Sequence, residues 1–194
     1  FTPYLEYPTG VSLRFHALDP LGGLLALPLT PLLGPVATMN VKFLLALVGS
    51  AFFAYLLLHD LTGNALAAFA GGALYTFANR QVLIDYSLGT QNYLMGVALL
   101  PLFCFFLQRA ITRSPWRRDG LSALLLLLCL ALTDWQYTLF AVLLTVLYAL
   151  FTIVTLRGRA APLLVRLALI GGTWAAIVLP TLVWPMLREA HASP

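Results

Sequence analysis

The stretch that decides the fold is GLSALLLLLCLALTDWQYTLFAVLLTVLYALFTIVTL, residues 120–156. As a single helix it would be about 55 Å long at 1.5 Å per residue, whereas the hydrocarbon core of a bilayer is about 30 Å thick. The polar DWQY at 134–137 separates two apolar runs and predicts a hairpin near the bilayer surface. The stretch therefore predicts two membrane spans, over 120–133 and 137–156.

Two basic breaks flank these spans, TRSPWRRDG at 112–120 and RGRAAP at 157–162. Seven of the eleven Lys and Arg residues lie in or beside them: Arg109, Arg113, Arg117, Arg118, Arg157, Arg159 and Arg166. Because Lys and Arg concentrate in the cytoplasmic loops of membrane proteins, the loops 112–119 and 157–162 are predicted to be cytoplasmic. The DWQY hairpin is then extracytoplasmic.

The composition of the whole chain supports a membrane location. Hydrophobic residues make up 61% of the 194 residues and charged residues 9%, against roughly 25% charged in an average soluble domain. Four further spans are predicted over 41–58, 65–78, 93–111 and 163–187. We therefore expect an all-α, polytopic transmembrane helix bundle over 41–187, with about six spans, in a cell membrane.

Residues 1–40 are predicted to form an extracytoplasmic loop with short helices. Within it the apolar segment 21–38 contains Pro28, Pro31 and Pro35, and proline inside a helix removes a hydrogen bond and clashes with the preceding turn. Interfacial or re-entrant helices are expected there, and a complete span is the alternative. Phe1 is not an initiator Met, so the chain is expected to be a piece of a longer protein, with 188–194 beginning another outer loop.

Alternation of the spans places the segments 1–40, 80–92, 134–137 and 188–194 on the outer side. Five of the seven carboxylates fall there: Glu6, Asp19, Asp85, Asp134 and Glu189. Asp85 and Asp134 lie beside span ends, where a carboxylate facing lipid is costly, so both are expected to face a protein-lined cavity. The simpler interpretation is that these outer loops are polar because they touch water and headgroups.

The sequence excludes several classes of function. It has no phosphate-binding GxxxxGK[ST] or GxGxxG, no HExxH, no CxxC and no GxSxG. Its three histidines, at 16, 59 and 191, are scattered, so no zinc site and no other cofactor is indicated, although a divalent metal stays open. The basic residues are confined to short loops, which argues against nucleic acid as a partner. What remains, carboxylates with cationic residues at an outer surface, suits transfer of a sugar from a lipid phosphate to a hydroxyl.

Several segments resemble a known family. YPTG at 7–10, His16, the Asp19-Pro20 pair, LLGPVATMN at 32–40 and AAFAGGALYTF at 67–77 look like bacterial polytopic membrane proteins of the GT-C glycosyltransferase superfamily. The TDWQY hairpin at 133–137 is similar to uncharacterised members of that group. The resemblance implies an enzyme of the lipid bilayer that uses a polyprenyl-phosphate-linked sugar as donor.

The resemblance also implies a catalytic Asp or Glu in the first large outer loop. By position, Asp19 is the first candidate for the base and Glu6 the second. The candidates for substrate binding are Arg14, His16, Arg80, Asp85, Gln91, Asp134 and Gln136, with Arg14, His16 and Arg80 as phosphate partners. Asp19 also precedes Pro20 at the start of an expected helix, so a capping role competes with catalysis or accompanies it.

Two other classes of function stay open. The proline- and glycine-broken segments 21–38 and 171–185 are also typical of transporters and lipid-handling proteins, whose interrupted helices line substrate sites. A structural membrane subunit that only binds a partner is the third class. Convergence of Glu6, Asp19, Asp85 and Asp134 in one cavity would favour the enzyme.

Overall fold

A computed structural model describes residues 19–77, 92–113, 115–156 and 160–192, and these residues are almost entirely helical. The helices are α1 (Pro20–Ala26), α2 (Thr30–Thr62), α3 (Ala65–Phe77), α4 (Asn92–Thr112), α5 (Trp116–Ala131), α6 (Trp135–Leu156), α7 (Ala160–Val178) and α8 (Trp184–Ala192). A π-helical turn, Leu179–Val183, joins α7 to α8. The all-α fold class is confirmed.

Four helical segments are long and apolar enough to cross a membrane: Thr30–Thr62, Met95–Thr112, Trp135–Thr155 and Ala161–Arg188. Their outward faces carry large apolar side chains that a water-soluble protein would bury. The chain is therefore a membrane protein. The predicted spans over 65–78 and 120–133 correspond to α3 and α5, of 13 and 16 residues. At about 20 and 24 Å these helices are shorter than the hydrocarbon core, so a total of six spans stays a prediction.

Helix α4 lies at the centre of the bundle. Half of its span, 50%, is buried, against 17% for each of the other three candidate spans. It packs against α2, α5, α6 and α7. Phe103 from α4 meets Leu127 and Leu130 from α5 in the main apolar core. Helix α4 is therefore the element around which α2, α5, α6 and α7 pack.

Small residues bring α3 close to α2. Ala68, Gly72 and Thr76 are buried against α2, and a Cβ added at Gly72 would stand 2.6 Å from the carbonyl oxygen of Ala51. The hydroxyls of Ser50 and Thr76 are hydrogen-bonded at 2.8 Å across the same interface. In a membrane, close backbone approach and such interhelical hydrogen bonds are what hold neighbouring helices together.

The segment 21–38 contains α1 and the first part of α2. Helix α2 begins at Thr30, earlier than the predicted span over 41–58, and is broken at Gly34, where φ is 75°. Glycine tolerates this left-handed conformation, and Pro35 then begins a new first turn, where proline is accepted. The prolines therefore divide the helix at one residue rather than ending it. Interfacial placement of this segment stays a prediction.

The predicted break between two helices at DWQY is confirmed, since α5 ends at Ala131 and α6 begins at Trp135, while its place near the bilayer surface stays a prediction. In the last long segment Pro180 lies in the π-helical turn. A proline lacks the N–H that the helical ladder needs, and a π turn is one way in which a helix accommodates that loss.

The helix ends that carry Asp60, Arg109, Arg113, Arg117, Arg118 and Arg166 form one end of the bundle, which we call the arginine end. Arg113 donates to Asp60 at 2.6 Å and so joins the end of α4 to the end of α2. Arg166 of α7 donates to the carbonyl oxygens of Ala110 and Ile111 at 3.1 and 3.0 Å. These carbonyls belong to the last turn of α4, which lacks helical partners, so Arg166 supplies hydrogen bonds that the helix itself cannot.

Candidate functional site

Asp19 caps α1, and the predicted capping role is confirmed. Its Oδ1 accepts the backbone N–H of Gly22 at 2.7 Å, and Pro20 occupies the first helical position. A carboxylate at this position satisfies a donor that the first turn leaves free and faces the positive end of the helix dipole. Only one of its two oxygens is used in this way.

The second oxygen of Asp19 faces Lys42 of α2. Lys42 Nζ lies 3.3 Å from Oδ2, and the two side chains are 12% and 5% exposed, respectively. The approach depends on Gly22, because a Cβ there would overlap the Asp19 carboxylate and stand 2.6 Å from Lys42 Nζ. The result is a largely buried ion pair with one cationic and one anionic partner, held by two helices.

Asp134 lies in the turn between α5 and α6 and caps α6. Its Oδ1 accepts the backbone N–H groups of Gln136 and Tyr137 at 2.6 and 3.4 Å, and the residue is 8% exposed. The carboxylate is thus directed at the first turn of its own helix. Gln136 contributes that backbone N–H, while the residue itself is exposed.

A backbone hydrogen bond brings this turn to α1. The N–H of Leu21 donates to the carbonyl oxygen of Leu132 at 3.2 Å. Leu21 is two residues after Asp19, and Leu132 is two residues before Asp134. Asp19, Lys42 and Asp134 therefore lie at one end of the bundle, which we call the Asp19 end.

Helix α2 connects the Asp19 end of the bundle with the arginine end. Lys42 pairs with Asp19, and Asp60, 18 residues further along the same helix, pairs with Arg113. That separation is about 27 Å at 1.5 Å per residue, close to the thickness of the hydrocarbon core. The residues between them, 43–59, include no Asp, Glu, Lys or Arg. The charged side chains of α2 therefore lie at two levels with an uncharged apolar stretch between them. The predicted placement of basic residues inside and carboxylates outside stays a prediction.

The remaining predicted site residues, Glu6, Arg14, His16, Arg80, Asp85 and Gln91, lie outside the described residues. Of the predicted set, the structure brings Asp19 and Asp134 to the same end, with the backbone of Gln136. Each of these two carboxylates caps its own helix, so the expected convergence of four carboxylates in one cavity stays a prediction. Within the described residues, no three His, Cys, Asp or Glu side chains are grouped so that they could hold a metal ion.

Lys42 is the functional candidate that the sequence reasoning did not select. It is the only lysine of the chain and stands near the start of an otherwise uncharged apolar run. A single lysine near the start of an apolar span could have been selected from the sequence as a candidate. Its partner Asp19 is 23 residues away, and only the tertiary structure identifies that partner. The buried pair offers a carboxylate that can accept a proton and an ammonium group that can bind a phosphate.

Comparison with known proteins gives no relative. No family model, no curated protein and no solved structure matches this chain. The likeness to the GT-C superfamily therefore rests on short segments of the sequence alone.

Proposed function

We propose that this protein is a membrane glycosyltransferase of the GT-C type. It would move a sugar from a polyprenyl-phosphate donor to an acceptor hydroxyl at the Asp19 end of the bundle. The observation that carries the proposal is the buried pair of Asp19 and Lys42, with Oδ2 and Nζ 3.3 Å apart. The resemblance of the sequence to that superfamily supports the same class of reaction.

In the proposed step, the acceptor oxygen attacks the anomeric carbon of the donor sugar while its proton passes to Asp19 Oδ2. A new carbon–oxygen bond forms, and the bond between the anomeric carbon and the phosphate oxygen breaks. The electron pair of that bond leaves with the polyprenyl phosphate. Oδ1 stays on the N–H of Gly22 throughout, so the cap keeps the carboxylate oriented while Oδ2 does the chemistry.

Lys42 is assigned to the leaving phosphate. In the structure its ammonium group neutralises Asp19, and a phosphate that binds Lys42 competes for the same charge. Binding of the donor therefore frees Oδ2 for the acceptor proton. The positive charge then faces the phosphate oxygen on which negative charge develops, which is where electrostatic stabilisation lowers the barrier.

The test uses the full chain in proteoliposomes with a panel of polyprenyl-phosphate-linked hexoses and a hydroxyl acceptor. The deciding variant is Asp19→Asn, because asparagine is as good a helix cap as aspartate but is not a base. We expect product formation to fall at least about 100-fold, the lower range for loss of a general base. Lys42→Met should also lower the rate, and Lys42→Arg should retain part of it.

The matched control is Asp60→Asn, which removes the carboxylate of the other ion pair on α2 and should leave transfer unchanged. Full activity in Asp19→Asn would reduce Asp19 to a cap and move the assignment to Glu6, tested as Glu6→Gln. Absence of product from every donor with the unmodified chain would contradict the glycosyltransferase proposal itself.

A groove favours a second candidate, a lipid-handling or transport protein without covalent chemistry. It has a volume of about 630 Å³ between α2 and α3, with the apolar lining Leu44, Leu47, Val48, Ala51, Phe52, Tyr55, Phe69, Ala73 and Phe77. Helical spacing puts Lys42 on the face of Ala46 and Ser50, roughly opposite the face of Ala51 and Tyr55. The groove is thus separate from the ion pair and suits an acyl or prenyl chain. Movement of labelled lipid across the same proteoliposomes, without product, would favour this candidate.

A further inference from the structure

Two arginines at the arginine end have exposed positions that the fold does not use. Arg117 and Arg118 lie in the first turn of α5, and both residues are exposed. Within the described part of the chain, neither guanidinium forms an ion pair with a carboxylate. Their charge is therefore directed outward.

Arg113 and Arg166 differ from Arg117 and Arg118, because each of them contacts another part of the bundle. Arg113 is paired with Asp60, and Arg166 donates to carbonyl oxygens at the end of α4. The guanidinium carbon of Arg166 also lies 5.8 Å from the centre of the Trp116 ring, at the start of α5. These contacts fix the end of α4 and the beginning of α5 relative to α7. Arg117 and Arg118 thus lie beside helix ends that these contacts hold together.

An apolar strip continues from these arginines along α5. Leu121 is four residues after Arg117 and three after Arg118, so it lies beneath both on the helix surface. Leu125 follows one turn later. The two leucines are 58% and 53% exposed. The outer face of α5 therefore carries cationic groups at its first turn and hydrocarbon over the next two turns.

We propose that this face binds one anionic phospholipid. The phosphodiester would lie between the guanidinium groups of Arg117 and Arg118, and an acyl chain would lie along Leu121 and Leu125. The order of charge and hydrocarbon along α5 matches the order of headgroup and chain in a lipid. Arginines at the end of apolar helices are at headgroup depth, and Trp116 is of the residue type enriched there. The inference is independent of the proposed transfer reaction.

The test measures lipid binding to the purified full chain in detergent by native mass spectrometry. Phosphatidylglycerol and phosphatidylcholine with identical acyl chains are offered together. We expect the anionic lipid to be preferred about tenfold, as two arginines near a membrane surface allow. The double variant Arg117→Gln with Arg118→Gln should lose this preference while keeping the helix content measured by circular dichroism.

The control is Arg188→Gln. Arg188 is also exposed, and its guanidinium carbon lies 5.2 Å from the centre of the Trp184 ring on α8, at the far end of the α7–α8 segment. This variant should keep the preference. Retention of the preference in the double variant, or an equal loss in Arg188→Gln, would overturn the proposal.

Two further experiments test separately the contribution of the phosphate group and that of the acyl chain. Inorganic phosphate, added at the concentration of the lipid, should leave the bound lipid in place, since it lacks the chain that contacts the leucines. Displacement of the lipid by phosphate would indicate an anion site without lipid recognition and would overturn the proposal. Leu121→Ser with Leu125→Ser should weaken binding of long-chain phosphatidylglycerol more than that of a short-chain analogue.

Discussion

The two ion pairs on α2 have the same chemistry and very different surroundings. In the pair of Lys42 and Asp19 the side chains are 12% and 5% exposed, whereas in the pair of Arg113 and Asp60 they are 47% and 16% exposed. The first pair is also tied to a helix cap through the N–H of Gly22. The second closes the ends of two helices near solvent.

Burial decides what each pair does for the protein. Two buried charges lose their hydration, and their attraction repays this only when the geometry is good and the other polar atoms are satisfied. Removal of one buried partner leaves an uncompensated charge, whereas removal of one exposed partner leaves a charge that water solvates. Mutation of one partner should therefore lower the free energy of unfolding most at the buried pair. An anionic ligand that binds Lys42 should also gain more binding energy there than at an exposed cation.

The largest effect is expected from Lys42→Met. The variant leaves the carboxylate of Asp19 buried without a counter-charge, so the free energy of unfolding should fall by about 3 kcal/mol. Titration with sodium dodecyl sulfate in mixed micelles, followed by circular dichroism, measures this change. The double variant Asp19→Asn with Lys42→Met removes both charges but keeps a capping side chain, and it should recover most of the loss. A Lys42→Met protein as stable as the unmodified chain would mean that the pair is solvated.

A smaller effect is expected from the second buried carboxylate of the Asp19 end. Asp134→Ala removes the acceptor for the N–H groups of Gln136 and Tyr137, and loss of a helix cap costs about 1 kcal/mol. Asp134→Asn should cost only a few tenths of that, because it keeps an accepting oxygen. The same titration measures both variants. Equal losses for alanine and asparagine would show that the charge of Asp134 matters and the cap does not.

Local patterns in the sequence predicted local structure well. The helix break at DWQY and the cap at Asp19 each depend on a few neighbouring residues and on the length of an apolar run. Turn residues, caps and prolines act on the backbone next to them, so their effect on local structure can be predicted without knowledge of the tertiary fold.

The features that involve distant residues were not predictable in this way. The pairing of Lys42 with Asp19 depends on α1 returning beside α2, and on the missing side chain of Gly22. The start of α2 was placed too late, because Pro35 was interpreted as a helix breaker, whereas the left-handed Gly34 allows the helix to resume directly after it. The candidate site was therefore predicted with Arg14, His16 and Arg80 as its cationic groups, and Lys42, the partner that the structure gives to Asp19, was missed.

The smallest effect is expected at the exposed pair, from Asp60→Asn. Arg113 Nη2 and Asp60 Oδ1 are only 2.6 Å apart, but the arginine side chain is almost half exposed, and exposed pairs contribute at most about 1 kcal/mol. The free energy of unfolding should fall by roughly 0.5 kcal/mol at low ionic strength and by less in 0.5 M salt, where charges near water are screened. Arg113→Gln and the double variant complete a cycle that isolates the pair. A coupling energy as large as that between Lys42 and Asp19 would contradict the view that burial causes the difference in stability between the two ion pairs.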